Sequence, residues 1–203
     1  IFKPEWIQYK ETLPWADYDA LVAYGDLSYT ETGDYKAIHL IGKTVREFHI
    51  LRAYVRQSSI AEAVCWAYDT DEEVRQEGGM ITWYIEGNFI QDSFLNDFDT
   101  EGDLRGWHLP IIADKKPKAN KHDRIEGITP FYQRLWVFYN KHLKGSTDFT
   151  VSLDQTLAFE RGSTAHDDAP DSIHGAISKL QELSSAASFR PRTGSNPIPN
   201  ALY

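Results

Sequence analysis

Asp19-Ala20-Leu21-Val22-Ala23-Tyr24-Gly25-Asp26-Leu27 is the stretch on which the fold turns. Its run of apolar residues bounded by Asp19 and Gly25-Asp26 predicts a buried strand. Ser28 to Asp34 follows as a polar turn. Tyr35 to Ile41 and Thr44 to Val55 predict two more strands, with Gly42-Lys43 between them as a two-residue hairpin turn. The three strands form an antiparallel meander, with a carboxylate, Asp26, at the end of the first.

Outward from the meander the pattern changes period. Ser58-Ser59 opens a helix with Ile60, Val64, Ala67 and Tyr68 on one face, ending near Gly78-Gly79. Met80 to Ile85 predicts an apolar strand that runs into Glu86-Gly87-Asn88. A helix over Phe89 to Phe98 and a short strand over Gly106 to Ile112 follow. Lys115 to Asn120 is a Lys- and Pro-rich loop. His122 to Tyr132 has helical spacing broken by Gly127 and Pro130. Leu135 to Phe138 is a short strand, and Asp148 to Phe159 a helix with Phe149, Leu153 and Leu157 inward. A last helix starts at Pro170 and runs to about Leu183. Residues 184–203 carry Ser, Pro, Asn and Gly without periodicity and read as a disordered tail. This order predicts an α/β fold with a mixed central sheet, three antiparallel strands and then parallel additions, flanked by helices.

Composition narrows the class. The 203 residues, 41% apolar and 13% aromatic, suffice for one domain with a real core, here residues 1–183. No apolar run reaches membrane-spanning length, and no signal peptide is recognisable. A single cysteine, Cys65, rules out an internal disulfide framework and a cysteine zinc site, and suits a reducing cytosol. The chain opens on Ile1 without a methionine and reads as a fragment of a longer polypeptide.

The net charge is −9, yet it is unevenly spread. Between Asp114 and Lys144, eight basic residues stand against three acidic ones, so this segment is +5 within a chain that is otherwise −14. A basic strip on an acidic body is compatible with phosphate-backbone contact, and equally with a solvated face.

His166-Asp167-Asp168-Ala169-Pro170-Asp171-Ser172 places three carboxylates at the mouth of the last helix. Spacings of three and four put pairs of them on one helical face. Carboxylates held that close repel unless a cation or proton intervenes. A helix cap and a hard-metal site are both open at this point. Asp26 and Glu86 each end a strand, and ligand sites in open α/β sheets collect outside such ends. If those strands are parallel neighbours, Asp26, Glu86, Asp168 and Asp171 form an oxygen-lined pocket suited to Mg²⁺ or Mn²⁺.

In this order the residues resemble a family. Gly25-Asp26 with Gly33-Asp34-Tyr35-Lys36-Ala37 resembles the first-strand motif of the nuclease domain of phage and prophage terminase large subunits. Tyr84-Ile85-Glu86-Gly87-Asn88, Lys121-His122-Asp123-Arg124-Ile125 and His166 to Asp171 resemble the family's later motifs. The resemblance spans residues 19 to 180. It implies a ribonuclease H-like fold and metal-dependent endonucleolytic cleavage of concatemeric double-stranded viral DNA during packaging. It also implies two Mg²⁺ or Mn²⁺ ions held by Asp26, Glu86 and Asp171, with Asp168 as a further ligand and Asp167 as its substitute. Lys121, Arg124, Lys118 and Lys116 would contact DNA phosphates. The implied partners are an upstream ATPase domain, the small terminase subunit and the portal, in the host bacterial cytoplasm. No Gly-x-x-x-x-Gly-Lys-Ser/Thr loop occurs here, so ATP hydrolysis would sit upstream. Two rivals fit the same residues: another ribonuclease H-like nuclease, such as a junction resolvase or recombinase, and a non-catalytic docking domain of a packaging complex.

Overall fold

The computed structural model describes residues 1–27, 35–87, 92–115 and 120–188, with backbone alone for 92–95 and 186–188. The chain runs β1 (Gln8–Lys10), β2 (Ala20–Asp26), β3 (Lys36–Lys43), β4 (Phe48–Arg56), α1 (Ile60–Gln76), β5 (Ile81–Glu86), α2 (Asp92–Arg105) and β6 (Ile111–Asp114). It continues through α3 (Lys121–Glu126), α4 (Thr129–Gln133), β7 (Val137–Asn140), α5 (Thr147–Ala158) and α6 (Asp168–Ser188). The strands form one sheet in the order β1-β7-β4-β3-β2-β5-β6. β2, β3 and β4 are antiparallel, and every strand added outside them is parallel to its neighbour. The mixed α/β sheet expected from the sequence is present.

Alternation along the strands builds two cores. In β2, Leu21 and Ala23 face α1 together with Trp83, Ile85, Val64 and Tyr68. Val22 and Tyr24 face the opposite layer, with Ile173, Ala176, Ile177 and Leu180 of α6. The period of two sends successive side chains to opposite faces, so a strand buried on both faces must be apolar throughout. β4 slips register opposite Leu40 and Ile41, which pair with Arg52 and Ile50 and leave Leu51 as the extra residue.

Several boundaries differ from the sequence expectation. Gly42-Lys43 is not a hairpin turn; both residues belong to β3, paired with His49 and Phe48. The turn is Thr44 to Glu47, closed by Thr44 N–H donating to Glu47 O at 3.0 Å. Gly42 is needed within the strand because a Cβ there would lie 2.6 Å from the Tyr18 ring. The strand expected over Gly106 to Ile112 is confined to Ile111–Asp114, because Gly106 turns the chain at φ 76°. The stretch His122 to Tyr132 divides into α3 and α4. α6 continues to Ser188, five residues beyond Leu183. The expected turn over 28–34, the start of the helix at 89 and the tail over 189–203 lie outside the described residues. α1 opens as expected: the Ser59 hydroxyl accepts from Glu62 N–H while the Glu62 carboxylate accepts from Ser59 N–H.

Candidate metal centre

Strand register brings the first two carboxylates together. β2 and β5 are parallel neighbours with Gly25 opposite Ile85, so Asp26 and Glu86 leave the sheet side by side at its C-terminal edge. α6 supplies the third. The Ser172 hydroxyl donates to Tyr24 O at 2.7 Å and fastens the first turn of α6 to β2. His39 fastens it to β3: its Nδ1 lies 3.1 Å from Ser172 Oγ and its Nε2 2.8 Å from Ser152 Oγ on α5. Because the Ser172 proton is spent on Tyr24 O, Nδ1–H donates to Ser172 and Nε2 accepts from Ser152. Burial holds the imidazole in this neutral form, with its pKa down at about 3.

Close approach completes the placement. A Cβ on Gly175 would lie 2.4 Å from the Tyr24 ring, so only glycine lets α6 sit this near β2. Asp171, one turn earlier, then meets Asp26 and Glu86. One carboxylate oxygen of each lies within 4.8 Å of the others, and all three residues are buried. The second amide of α6 is capped from α5: Ala169 N–H donates to Gln155 Oε1 at 2.9 Å.

Charge dominates this pocket. Burial pushes the Asp26 carboxyl up to about 8; Lys121 opposes that rise, while the Asp171, Glu86 and Asp168 carboxylates add to it. A buried group of acids with too little positive charge holds a proton at neutral pH. A hard divalent cation would restore the carboxylate, and three converging oxygens with room for water are the donor set such ions take. The residues therefore fit a metal of the Mg²⁺ or Mn²⁺ type.

The two adjacent aspartates divide. Asp168 is near enough to raise Asp26, and its Oδ2 lies 3.8 Å from His166 Nδ1. Asp167 turns to the rim, 35% exposed, and holds Lys121 Nζ at 2.8 Å. Neither belongs to the three-oxygen group. His166 is a rim residue packed edge-on against Tyr35.

Lys121 and Arg124 do not make the surface ion pairs that adjacent Asp123 and Glu126 suggest. Lys121 Nζ lies 3.4 Å from Asp26 Oδ2 and 3.7 Å from Asp171 Oδ2. The Arg124 guanidinium reaches Asp171 Oδ2 at 3.1 Å and Glu86 Oε1 at 3.7 Å. Burial alone depresses the Lys121 ammonium, but Asp26, Asp171 and Asp167 outweigh it and raise its pKa. Lys116 and Lys118 lie outside the described residues.

One supporting group was not expected from the sequence. Asp114 ends β6 beside Glu86, accepts from Tyr24 Oη at 3.0 Å and pairs with Lys179 Nζ at 2.9 Å. Its signal is the one that marks Asp26 and Glu86: an acid at the end of an apolar strand.

No family model and no curated protein sequence matches the chain. Solved structures do. The nuclease domain of the human cytomegalovirus terminase, soaked with manganese, superposes with a TM-score of 0.64 at 13% identity, covering 90% of this chain and 96% of that one. The chain has the fold of a terminase nuclease domain. The large terminase of a thermophilic bacteriophage matches with a TM-score of 0.59 at 14% identity, over 88% of this chain. That of bacteriophage HK97 matches with a TM-score of 0.53 at 11% identity, over 85% of this chain. The chain spans 44% of the thermophilic phage terminase and 41% of the HK97 terminase. No helix among the described residues is long and apolar enough to cross a membrane.

Proposed function

We propose that this chain is the endonuclease domain of a phage or prophage terminase large subunit, cleaving concatemeric double-stranded DNA during genome packaging. One observation carries the reading. Asp26, Glu86 and Asp171 come from three separate elements and converge, buried, at the C-terminal sheet edge of a terminase-nuclease fold. Residues 1–183 would be the nuclease unit. An ATPase domain, the small terminase subunit and the portal would be its partners in the host bacterial cytoplasm.

Asp26, Glu86 and Asp171 would hold Mg²⁺ or Mn²⁺, two ions in all, with Asp168 as a further ligand. Bound there, the ions supply an activated water and charge for the leaving oxygen of the phosphodiester. The chain's own part is placement: Ser172 and His39 fix Asp171, strand pairing fixes Asp26 against Glu86, and Arg124 bridges Glu86 and Asp171. No side chain need act as a nucleophile. Lys121, Lys116 and Lys118 would contact DNA phosphates, making binding salt-dependent.

The test is plasmid nicking in Mn²⁺. Asp26→Asn should retain the parent's melting behaviour and lose more than the ~10–100-fold in cleavage rate that removing an outer-shell partner costs, because a ligand itself is lost. Cleavage by Asp26→Asn at the parent's rate would defeat the proposal.

A further inference from the structure

We propose that Lys121 is a built-in competitor for the divalent cation, withdrawn from the carboxylate cluster to the DNA phosphate when cation and duplex bind together. This rests on Asp26, Glu86 and Asp171 being metal ligands.

Lys121 is the first residue of α3. The Asn120 side chain accepts from His122 N–H at 2.9 Å and starts the helix, and fully buried Ile125 anchors it in the core. Lys121 and Arg124, three apart, share one face of this pinned helix. Only their side chains can choose partners, and the two are placed differently. Arg124 is 11% exposed, with its guanidinium bridging Asp171 and Glu86. Lys121 is 36% exposed, and its shortest ion pair, 2.8 Å, is with Asp167 at the rim. Its contacts with Asp26 and Asp171 are longer, at 3.4 and 3.7 Å. Lys121 can therefore turn outward while keeping its closest partner, and Arg124 cannot.

Charge balance gives that freedom a use. Asp26, Glu86, Asp168 and Asp171 offer four negative charges and Asp167 a fifth at the rim, and Lys121 and Arg124 offset two. The remainder exceeds one divalent ion by a single charge. A second ion is repelled by the ammonium in a partly buried site, where unit charges about 4 Å apart interact strongly. It binds well only when Lys121 leaves or when a phosphate brings further negative charge. An outward Lys121, held by Asp167, is placed to supply the contact such a phosphate needs. The same side chain thus opposes metal binding and favours DNA binding, and the two equilibria are linked through it.

The experiment is calorimetry with Mn²⁺ on the parent, Lys121→Gln, Lys121→Arg and Arg134→Gln. Arg134 serves as the control for charge loss: it is exposed and stacks on Trp136 just before β7, at the sheet edge opposite the cluster. Lys121→Gln should bind Mn²⁺ on the order of tenfold more tightly. Lys121→Arg and Arg134→Gln should stay within about threefold of the parent, since one keeps the charge and the other removes a distant, screened one. In chelator, Lys121→Gln should melt below the parent, and Mn²⁺ should raise its midpoint further than the parent's. Its duplex binding should show a salt slope smaller by about one phosphate contact. Unchanged or weaker Mn²⁺ affinity in Lys121→Gln, beside a parent that binds Mn²⁺, would overturn this inference alone. A parent that binds no Mn²⁺ would overturn the metal reading and this inference with it.

Discussion

Replacing Gly175 with alanine perturbs the site without touching any carboxylate. The new Cβ would lie 2.4, 2.5 and 2.6 Å from three atoms of the Tyr24 ring. Ordinary carbon contacts are about 3.5–4.0 Å, so something must move by roughly 1 Å. The ring has little freedom: Tyr24 is buried and its hydroxyl is bonded to Asp114. The helix must give instead. Overpacking of this kind costs about 1–3 kcal/mol, and the better helix propensity of alanine offsets up to ~1 kcal/mol. A net loss of about 1–2 kcal/mol lowers the melting midpoint of a chain this size by roughly 2–8 °C. Asp171 lies four residues earlier on the same face and moves with the helix. A displacement near 1 Å at a reacting centre costs on the order of a hundredfold in rate. Calorimetric melting paired with Mn²⁺-dependent plasmid nicking reads both effects. A Gly175→Ala protein with the parent's midpoint and nicking rate would refute the claim that this close approach positions Asp171.

Two further outcomes are expected. His39 is folded neutral, with a pKa depressed from 6.5 to about 3, so the folded protein binds fewer protons than the unfolded chain between those values. The stabilisation is complete above the unfolded pKa and is lost as pH falls below it, by about 2 kcal/mol near pH 5. Urea midpoints measured from about pH 7.5 down to about pH 5 should fall more steeply for the parent than for His39→Gln, and parallel curves would contradict this. Lys179→Met should cost about 1–3 kcal/mol in urea unfolding, because it takes the ammonium from the half-buried Asp114 carboxylate. Adding Asp114→Asn should recover part of that loss, and a double variant less stable than Lys179→Met would refute the pairing.

Much of the arrangement was legible because one requirement fixed several residues at once. β2 is buried on both faces, so its apolar run announced it, and its terminal Asp26 followed from where strands in α/β sheets end. Glu86 was legible by the same logic, and its strand is the parallel neighbour of β2 that the convergence requires. The start of α1 at Ser58-Ser59 was readable because capping chemistry is local. What escaped depends on partners distant in sequence. β1 is three residues long and exists because it pairs with β7, where Gln8 meets Phe138 from the other end of the chain. Gly42 looked like a turn residue because its packing partner, Tyr18, is not adjacent in the chain. Spacing favoured Asp168 over adjacent Asp167 as the inward residue, but it could not show that Asp167 pairs with Lys121 at the rim. The basic strip suggested outward cations, whereas the buried acids draw Lys121 and Arg124 inward, an effect visible only once both halves of the charge balance share a pocket.

The central claim is that Asp26, Glu86 and Asp171 hold the catalytic divalent ion. Anomalous diffraction from Mn²⁺-soaked crystals tests it most directly. A manganese peak is expected at about 2.0–2.3 Å from carboxylate oxygens of all three residues, with further coordination by water. Manganese bound elsewhere, with these three carboxylates uncoordinated at saturating Mn²⁺, would contradict it.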